Sequence, residues 1–329
     1  VTQDFQIPII ESFHTISGSL SAVDGESINT LIQLYGRYGN GSRFTKEAES
    51  TSSFSFDNLS SLSLYDSIVF KPQELPYVTS VIKPITLDSP VPVTIDLADV
   101  LIVSETFIPN GVYLEYYINR LKEGGYKATG LEGYTLSQIP ERALLKTKFK
   151  TALWLTRRIE TDMNPSWHDT LVSFIQKGGH VMIAGQDLLE KNSSLPVFSD
   201  YLKLGFGGNY TIDPTIQGLD GNLIGDGLNF SISQSTLPSR DRIIFSNANT
   251  SVAFRYGTLP EDADKYAGVY ISNTGFGGKA VVLGFDPFRV SEFALRTIFD
   301  RTLKYFNGEE GVFNFTISVF QNSLIRNRG

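Results

Sequence analysis

The fold is decided by the segment Lys177-Gly178-Gly179-His180-Val181-Met182-Ile183-Ala184-Gly185-Gln186-Asp187. Two glycines end a helix, an apolar run follows, and a Gly-Gln-Asp corner closes the run. A short apolar run bounded by turn formers is typical of a strand that is buried on both faces. Doubly wound α/β domains collect ligands and catalytic groups at the carboxyl ends of such strands. A site is therefore expected at Gln186 and Asp187, although neither side chain is a nucleophile.

Strand-like and helix-like segments alternate on both sides of this corner. Predicted strands are Asp99–Ser104, Tyr126–Leu131, Thr151–Thr156, His180–Ala184 and Lys279–Phe285. Predicted helices are Gly111–Lys122, Leu136–Leu145, Asn164–Gln176 and Ser291–Phe306. This alternation indicates right-handed βαβ units and a parallel sheet, which we place at residues 97–308. Residues 204–258 are rich in Gly, Asn, Ser and Thr and are interpreted as a β-rich insertion, after which the α/β pattern resumes with Gly268–Ser272.

The first part of the chain shows short alternating runs without a helical period. Predicted strands are His14–Ala22, Ile28–Tyr35, Ser53–Phe56, Asp66–Phe70, Tyr77–Ile82 and Val91–Ile95. Turn dipeptides such as Asp24-Gly25 separate them, and this spacing favours an antiparallel β-sandwich over residues 12–95. The predicted fold class is therefore multidomain: a β-sandwich followed by a flavodoxin-like parallel-sheet domain with a β-rich insertion.

Short motifs in both parts resemble known families. Ile16-Ser17-Gly18-Ser19-Leu20 before Asp24-Gly25, then Ser53–Leu59 and Tyr65–Pro72, resemble the carboxypeptidase regulatory-like (transthyretin-like) sandwich. That resemblance implies a spacer or adhesive module without catalysis.

The second part resembles glutamine-amidotransferase-like domains, in the version found in secreted multidomain peptidases and surface proteins of bacteria and archaea. Trp167–Asp187 and Gly278–Asp286 carry this resemblance, which spans Ala98–Phe306. Amidotransferases need a nucleophilic cysteine and a partner histidine. The chain has no cysteine, and its three histidines are scattered. The activity is therefore not carried over.

Other candidates for chemistry are few. Ser104 and Thr156 end strands, but neither lies in a Gly-x-Ser-x-Gly context. His168 and His180 fit no metal-ligand spacing, and His14 lies in the other domain. We therefore expect no catalytic residue and no cofactor.

The acids at the strand ends leave two interpretations open. Glu105, Asp187 and Asp286 either converge to hold a hard cation or act as a carboxylate pair, or they cap helices and accept hydrogen bonds from loop amides. Asp220-Gly221-Asn222 with Asp226-Gly227 is similar to a calcium loop but lacks its ligand spacing, which favours simple turns.

The amino-acid composition argues against two classes of binding partner, nucleic acid and the membrane interior. The net charge of −7 and the lack of a basic cluster argue against nucleic acid as a partner. No apolar stretch reaches the ~18 residues needed to span a bilayer.

Seven Asn-x-Ser/Thr sequons occur among the 17 asparagines, whereas a Ser and Thr content of roughly 18% predicts about three by chance. They are Asn40, Asn58, Asn192, Asn209, Asn229, Asn249 and Asn314. This excess favours an N-glycosylated protein at an extracellular or cell-surface location, although Ser/Thr-rich loops also produce sequons by accident.

Both ends of the chain have strand-like patterns outside the two domains. Residues 1–11 form an extended arm, and residues 309–329 contain an alternating run with Phe313, Phe315, Ile317 and Val319 on one face. A lone strand is not stable in water and must join a sheet edge. The tail therefore pairs either with its own sandwich or with a neighbouring copy, which generates filaments when the rotation does not close.

The preferred function is a non-catalytic, glycosylated, extracellular structural subunit that forms a filament, surface layer or adhesive appendage. Its predicted partners are other copies of itself and N-linked glycans. Two alternatives are a non-catalytic accessory region of a secreted peptidase that binds substrate or glycan, and a hydrolase of the amidotransferase-like fold.

Overall fold

A computed structural model describes residues 11–73, 76–85, 87–105, 111–132, 149–158, 165–232 and 240–309. The predicted arm at residues 1–11 is thus described only at Glu11, and the tail only at Glu309. Asn314 and the assembly residues Phe313, Phe315, Ile317 and Val319 lie outside the described residues. The predicted helix Leu136–Leu145 also lies outside them.

The first part of the chain contains two sheets that share one core. The strands are β1 (Phe13–Ala22), β2 (Thr30–Arg37), β3 (Arg43–Ser50), β4 (Ser53–Ser60), β5 (Leu64–Pro72), β6 (Ser80–Ile82) and β7 (Val91–Ile95). One sheet has the order β4-β1-β7 and the other the order β3-β2-β5-β6. Alternate residues such as Phe54 and Phe56 of β4 are buried and meet Ile32, Leu34 and Phe70 of the other sheet. The alternating pattern of the sequence is what builds this core.

Strand β3 was not predicted, because it is largely exposed and carries charged side chains instead of an apolar face. It forms because it pairs with β2 in register over its whole length, from Arg37↔Arg43 to Thr30↔Ser50. The turn at Asn40-Gly41 connects the two strands, and Gly41 has a positive φ of 84°. Pairing with a neighbour therefore makes this strand, and its charges suit an edge position.

The second part is built on a nine-stranded sheet. The strands of this part of the chain are β8 (Val100–Glu105), β9 (Ala128–Glu132), β10 (Thr151–Arg158), β11 (His180–Gln186), β12 (Leu204–Tyr210), β13 (Thr215–Gly218), β14 (Asn229–Ser231), β15 (Arg240–Phe245), β16 (Thr250–Tyr256), β17 (Tyr266–Ile271) and β18 (Ala280–Leu283). Its helices are α1 (Val112–Glu123), α2 (Pro165–Gln176), α3 (Leu188–Asn192) and α4 (Glu292–Phe306). The sheet has the order β14-β13-β16-β17-β18-β11-β10-β8-β9, while β12 and β15 form a separate two-stranded ribbon.

The parallel part of this sheet has flavodoxin-like topology. Strands β9, β8, β10, β11 and β18 are mutually parallel neighbours. Numbered among themselves in chain order, they lie in the order 2-1-3-4-5, which is the flavodoxin-like arrangement. The predicted fold class is therefore confirmed.

Helices cover both faces of the parallel strands. Alternate residues of β10 point to opposite sides, so Leu153 and Leu155 belong to one core and Ala152 and Trp154 to the other. Helices α1 and α4 pack on the first side, and α2 packs on the second. This two-sided burial explains why the strands read as continuous apolar runs.

The inserted strands differ from the prediction in one respect. The segment Gly268–Ser272 was expected to resume the α/β pattern, but β17 runs antiparallel to β18 and continues into β16, β13 and β14. An apolar strand carries no signal for its direction, so the sequence did not reveal that the insertion extends the sheet beyond β18. Among the described residues, no helix is long and apolar enough to cross a membrane.

Gly18 provides a test of the sandwich. A β-carbon at this position would lie 2.0 Å from the Val91 carbonyl oxygen and 2.7 Å from the Phe54 ring. We expect Gly18→Ala to lower the free energy of unfolding by roughly 1–3 kcal/mol, because β1 would be forced away from β7. The neighbouring, exposed Ser19→Ala is the matched control and should change little. Chemical denaturation measures both, and equal stabilities for the two variants would contradict this packing.

Candidate functional site

The carboxyl ends of the parallel strands gather several polar residues. Ser104 is the next-to-last residue of β8, and Thr156 lies near the end of β10. Gln186 is the last residue of β11, Asp187 follows it, and Asp286 follows β18. All five are buried. The strand order reverses between β8 and β10, so the switch point of the fold lies beside Ser104 and Thr156.

The Thr156 hydroxyl at this edge of the sheet makes a hydrogen bond within the protein. Its Oγ1 donates to the Ala184 carbonyl at 3.2 Å. A β-carbon at Gly185 would lie only 1.7 Å from that Oγ1, so a glycine is needed beside it. Ser104 is only 2% exposed. A buried hydroxyl that donates to a backbone carbonyl, as that of Thr156 does, is poorly placed to attack a substrate.

The two histidines of this domain serve structural contacts. His168 accepts a hydrogen bond at Nε2 from the Val197 N–H at 3.3 Å. His180 lies at the amino end of β11, accepts from the Lys279 N–H at 3.0 Å and stacks on Phe306. Burial lowers the pKa of His180, and the charge of Lys279 lowers it further. At neutral pH His180 therefore carries no charge.

Of the three predicted strand-end acids, Asp286 serves as a helix cap. Asp286 accepts from the Phe288 N–H at 2.9 Å and pairs with the Arg289 Nε at 3.3 Å, so it caps the short helix Pro287–Arg289. For Asp286 the structural interpretation therefore holds. The side chain of Glu105 lies outside the described part of the chain.

Asp187 instead meets two acids that were not predicted. One carboxylate oxygen each from Asp187, Glu190 and Asp241 lies within 4.8 Å of the other two. We call these three residues the acid cluster. Asp187 and Asp241 are buried and Glu190 is exposed, so the cluster reaches from the interior to the surface.

Asp241 enters the cluster from the insertion. Its backbone N–H donates to the Gly284 carbonyl at 3.0 Å, which attaches the start of β15 to the end of β18. A β-carbon at Gly284 would lie 2.3 Å from the Asp241 carbonyl oxygen, so this close approach requires glycine. The Tyr256 hydroxyl donates to the carbonyls of Asp241 and Gly284, at 3.1 and 2.8 Å.

The carboxylate of Asp241 is only partly satisfied. Its Oδ2 accepts from the Leu189 N–H at 2.6 Å, but its Oδ1 is buried and has no hydrogen-bond partner among the described residues. Burial raises the pKa of Asp241 to about 7. The charges of Asp187 and Glu190 add to the rise of this pKa, while the backbone N–H groups of Leu189 and Glu190 oppose it. A buried carboxylate that is charged lowers the free energy of unfolding unless a proton or a cation neutralises it.

Sequence reasoning missed Asp241 because Arg240-Asp241-Arg242 looks like a solvated charge run. The only signal was that Asp241 shares a face of β15 with the buried Ile243. Arg240 is itself buried, with its guanidinium over the rings of Tyr256 and Tyr210 at 5.4 and 5.5 Å.

A second unpredicted arrangement lies in the sandwich. The Ser12 Oγ is 3.2 Å from the His14 Nε2, and the His14 Nδ1 is 2.5 Å from the Asp88 Oδ2. The order resembles a hydrolase triad, but these groups lie at the protein surface, and the Ser12 N–H already donates to the Ser61 Oγ. Asp88 also accepts from the Thr15 N–H, so the hydrogen bonds fasten the Asp88 turn to β1. We interpret this chain of contacts as structural, because Asp88 bonds both His14 and the Thr15 N–H of β1.

The calcium-like segment is a set of turns. The Asp226 Oδ1 accepts from the Gly221 N–H, and the Asn222 Oδ1 accepts from the N–H groups of Ile224 and Gly225. These side chains close turns, as the simpler interpretation expected.

The sequons fall into two groups. Five have an exposed asparagine: Asn40, Asn58, Asn209, Asn229 and Asn249. Asn192 is fully buried, and its Nδ2 donates to the Leu188 carbonyl at 3.0 Å. The folded protein has no room for a glycan there, so Asn192 is removed from the predicted set. A sequon specifies the residues that are recognised, not whether the fold exposes them.

No family model and no curated protein sequence matches the chain. Among solved structures, a ThuA-like protein from Parabacteroides merdae is 9% identical with a TM-score of 0.41, covering 64% of this chain and 91% of that one. An exo-β-1,4-mannosidase from Opitutaceae bacterium strain TAV5 is 10% identical with a TM-score of 0.38, covering 64% of this chain. The match covers only 34% of that enzyme, so this chain spans about a third of its length. The fold assignment therefore rests on the order and direction of the strands.

The raised pKa of Asp241 predicts a pH dependence of stability. The folded protein holds a proton on Asp241 up to a pH of about 7, whereas the unfolded chain releases it near 3.8. Between these values the folded state binds more protons, so this residue makes stability fall as pH rises from about 4 to about 7. In metal-free buffer we expect Asp241→Asn to remove this fall, giving a variant that is more stable than the wild type at pH 8 by a few kcal/mol at most.

Chemical denaturation at pH 4.5, 6 and 8 measures this difference. Asp99→Asn, an exposed acid just before β8, is the matched control and should follow the wild type. A wild type and Asp241→Asn with parallel pH profiles would contradict the assignment.

Proposed function

We propose that the protein is a non-catalytic, N-glycosylated structural subunit at an extracellular or cell-surface location, and that it assembles with copies of itself. The observation that carries this proposal is the distribution of the exposed sequons over both parts of the chain. Asn40 and Asn58 belong to the sandwich, and Asn209, Asn229 and Asn249 belong to the insertion. A surface with glycans on both parts suits a secreted protein whose role is contact.

Two of these sequons lie on sheet edges. Asn229 is in β14, which ends the nine-stranded sheet, and Asn58 is in β4, which ends the three-stranded sheet. An exposed edge strand pairs readily with other chains, and proteins commonly protect such edges. Glycans at these positions would block two edges and so restrict where a strand from another copy can add.

The remaining edges of the sandwich differ in charge. Strand β3 carries Arg43, Lys46, Glu47 and Glu49, which disfavour strand addition, whereas β7 and the three-residue strand β6 contain no charged residue. Strand β7 is the longer of these two uncharged edges, although its Pro92 has no N–H to donate to an added strand. We propose that it accepts the alternating tail strand of a neighbouring copy, which gives a head-to-tail contact.

The polar groups at the carboxyl edge of the parallel sheet support the non-catalytic part of the proposal. Thr156 and Asp286 are used in internal hydrogen bonds, and Ser104 is buried. The amidotransferase-like and carboxypeptidase regulatory-like resemblances fit the same role, since both domain types occur as non-catalytic parts of secreted proteins.

Glycosylation is tested by peptide mass spectrometry of the protein from its native source. We expect glycans at one or more of Asn40, Asn58, Asn209, Asn229 and Asn249, because these side chains are exposed. Asn192 should be unmodified, because it is buried, and it serves as the internal control. Unmodified peptides at all five exposed positions would contradict the proposed location.

Assembly is tested by changing the tail. Deleting residues 309–329 should convert polymers to monomers in light scattering and negative-stain microscopy. A sharper variant replaces Phe313, Phe315, Ile317 and Val319 with serine and should have the same effect, because it removes the apolar face. Changing Asn314, Thr316 and Ser318 to alanine is the matched control and should leave polymers intact. Polymers that survive the deletion would rule out strand exchange through the tail.

A further inference from the structure

The acid cluster poses an electrostatic problem that the proposed function does not solve. Three carboxylates lie within 4.8 Å of one another, and Asp241 is completely buried. Two unit charges about 4 Å apart repel by several kcal/mol near a protein surface, and by more in the interior. The folded chain must therefore neutralise some of this charge.

A buried polar atom without a partner points to a ligand. The Asp241 Oδ1 has no hydrogen-bond partner among the described residues, although the same carboxylate accepts from the Leu189 N–H through Oδ2. A buried carboxylate oxygen without a hydrogen-bond partner requires an explanation, and a bound ion or water supplies one. This observation is independent of the mere presence of three acids.

The chemistry and spacing of the cluster select a class of ion. All three residues offer carboxylate oxygens, which hard cations prefer. Ca²⁺ binds oxygens at about 2.3–2.6 Å, so two of its ligands lie up to about 5 Å apart. The three carboxylate oxygens lie within 4.8 Å of one another and so satisfy that limit. Mg²⁺ binds oxygens at about 2.1 Å and draws its ligands closer together, to about 4 Å.

We propose that Asp187, Glu190 and Asp241 form a binding site for one Ca²⁺ ion. Asp187 and Glu190 lie at the start of α3, just after the end of β11, whereas Asp241 belongs to β15 of the insertion. The ion thus joins the insertion to the carboxyl edge of the parallel sheet. Glu190 is exposed and leaves a path for the ion and its water ligands from solvent. The site does not depend on glycosylation or self-assembly, so each proposal can fail alone.

Isothermal titration calorimetry of the full chain, stripped of metal by a chelator, tests the site with CaCl₂ and separately with MgCl₂ at pH 8. We expect one Ca²⁺ per chain and weaker binding of Mg²⁺. Glu190→Gln should weaken Ca²⁺ binding by roughly tenfold or more, and Asp241→Asn should abolish it. Asp99→Asn is the matched control and should bind as the wild type does. Thermal unfolding should show a rise in Tm with Ca²⁺ for the wild type and none for Asp241→Asn.

Several outcomes would overturn the proposal. A wild type that is folded at pH 8 yet binds no Ca²⁺ at millimolar concentration would show that a proton alone neutralises the cluster. Binding that neither Glu190→Gln nor Asp241→Asn alters would place the ion elsewhere. Mg²⁺ binding as tight as Ca²⁺ binding would reject the choice of ion. Because Glu190 is exposed, Glu190→Gln keeps the test decisive even if Asp241→Asn does not fold.

Discussion

The structure of the second part depends on burying five parallel strands on both faces. Leu153 and Trp154 in β10, and Met182 and Ile183 in β11, are each inaccessible to solvent, and neighbouring residues serve opposite cores. At about 25 cal/mol per Å² of apolar surface removed from water, this burial is the main source of stability. It requires helices on both sides, and α1, α2 and α4 supply them.

The same constraint explains the insertion. A buried parallel sheet that ended at β18 would leave the polar backbone groups of that strand without partners. Strand β17 pairs with β18. Strands β16, β13 and β14 follow in that order, and the short strand β14 forms the edge of the sheet. The start of β15 meets the end of β18 through the hydrogen bond from Asp241 to Gly284. The insertion therefore covers part of the edge at which this fold class places its sites, and it brings a carboxylate there.

The elements that sequence reasoning predicted are those specified by local pattern. The apolar runs of β8, β10, β11 and β18 and the glycine stop before β11 are visible in the sequence alone. Strand β3 was missed because pairing with β2 forms it, and the direction of β17 was missed because apolar residues do not encode direction. The acid cluster lies at the edge where a site was predicted, and Asp187 was among the predicted residues. Its partner Asp241 lies far along the chain, in a segment whose charges looked solvated. Long-range hydrogen bonds with Gly284, Leu189 and Tyr256 bring it to Asp187.

Keeping three acids together costs stability, and the proposed structural role does not require that cost. Replacing a buried charge with a neutral group of similar shape is often neutral or stabilising. The position of Asp241 also restricts the residue at position 284, because only glycine fits beside the Asp241 carbonyl. A ligand that binds only the folded chain reverses this balance, since its binding free energy adds to the free energy of unfolding. With a cation bound, the acids that weaken the isolated fold become the contact that holds the insertion to the sheet.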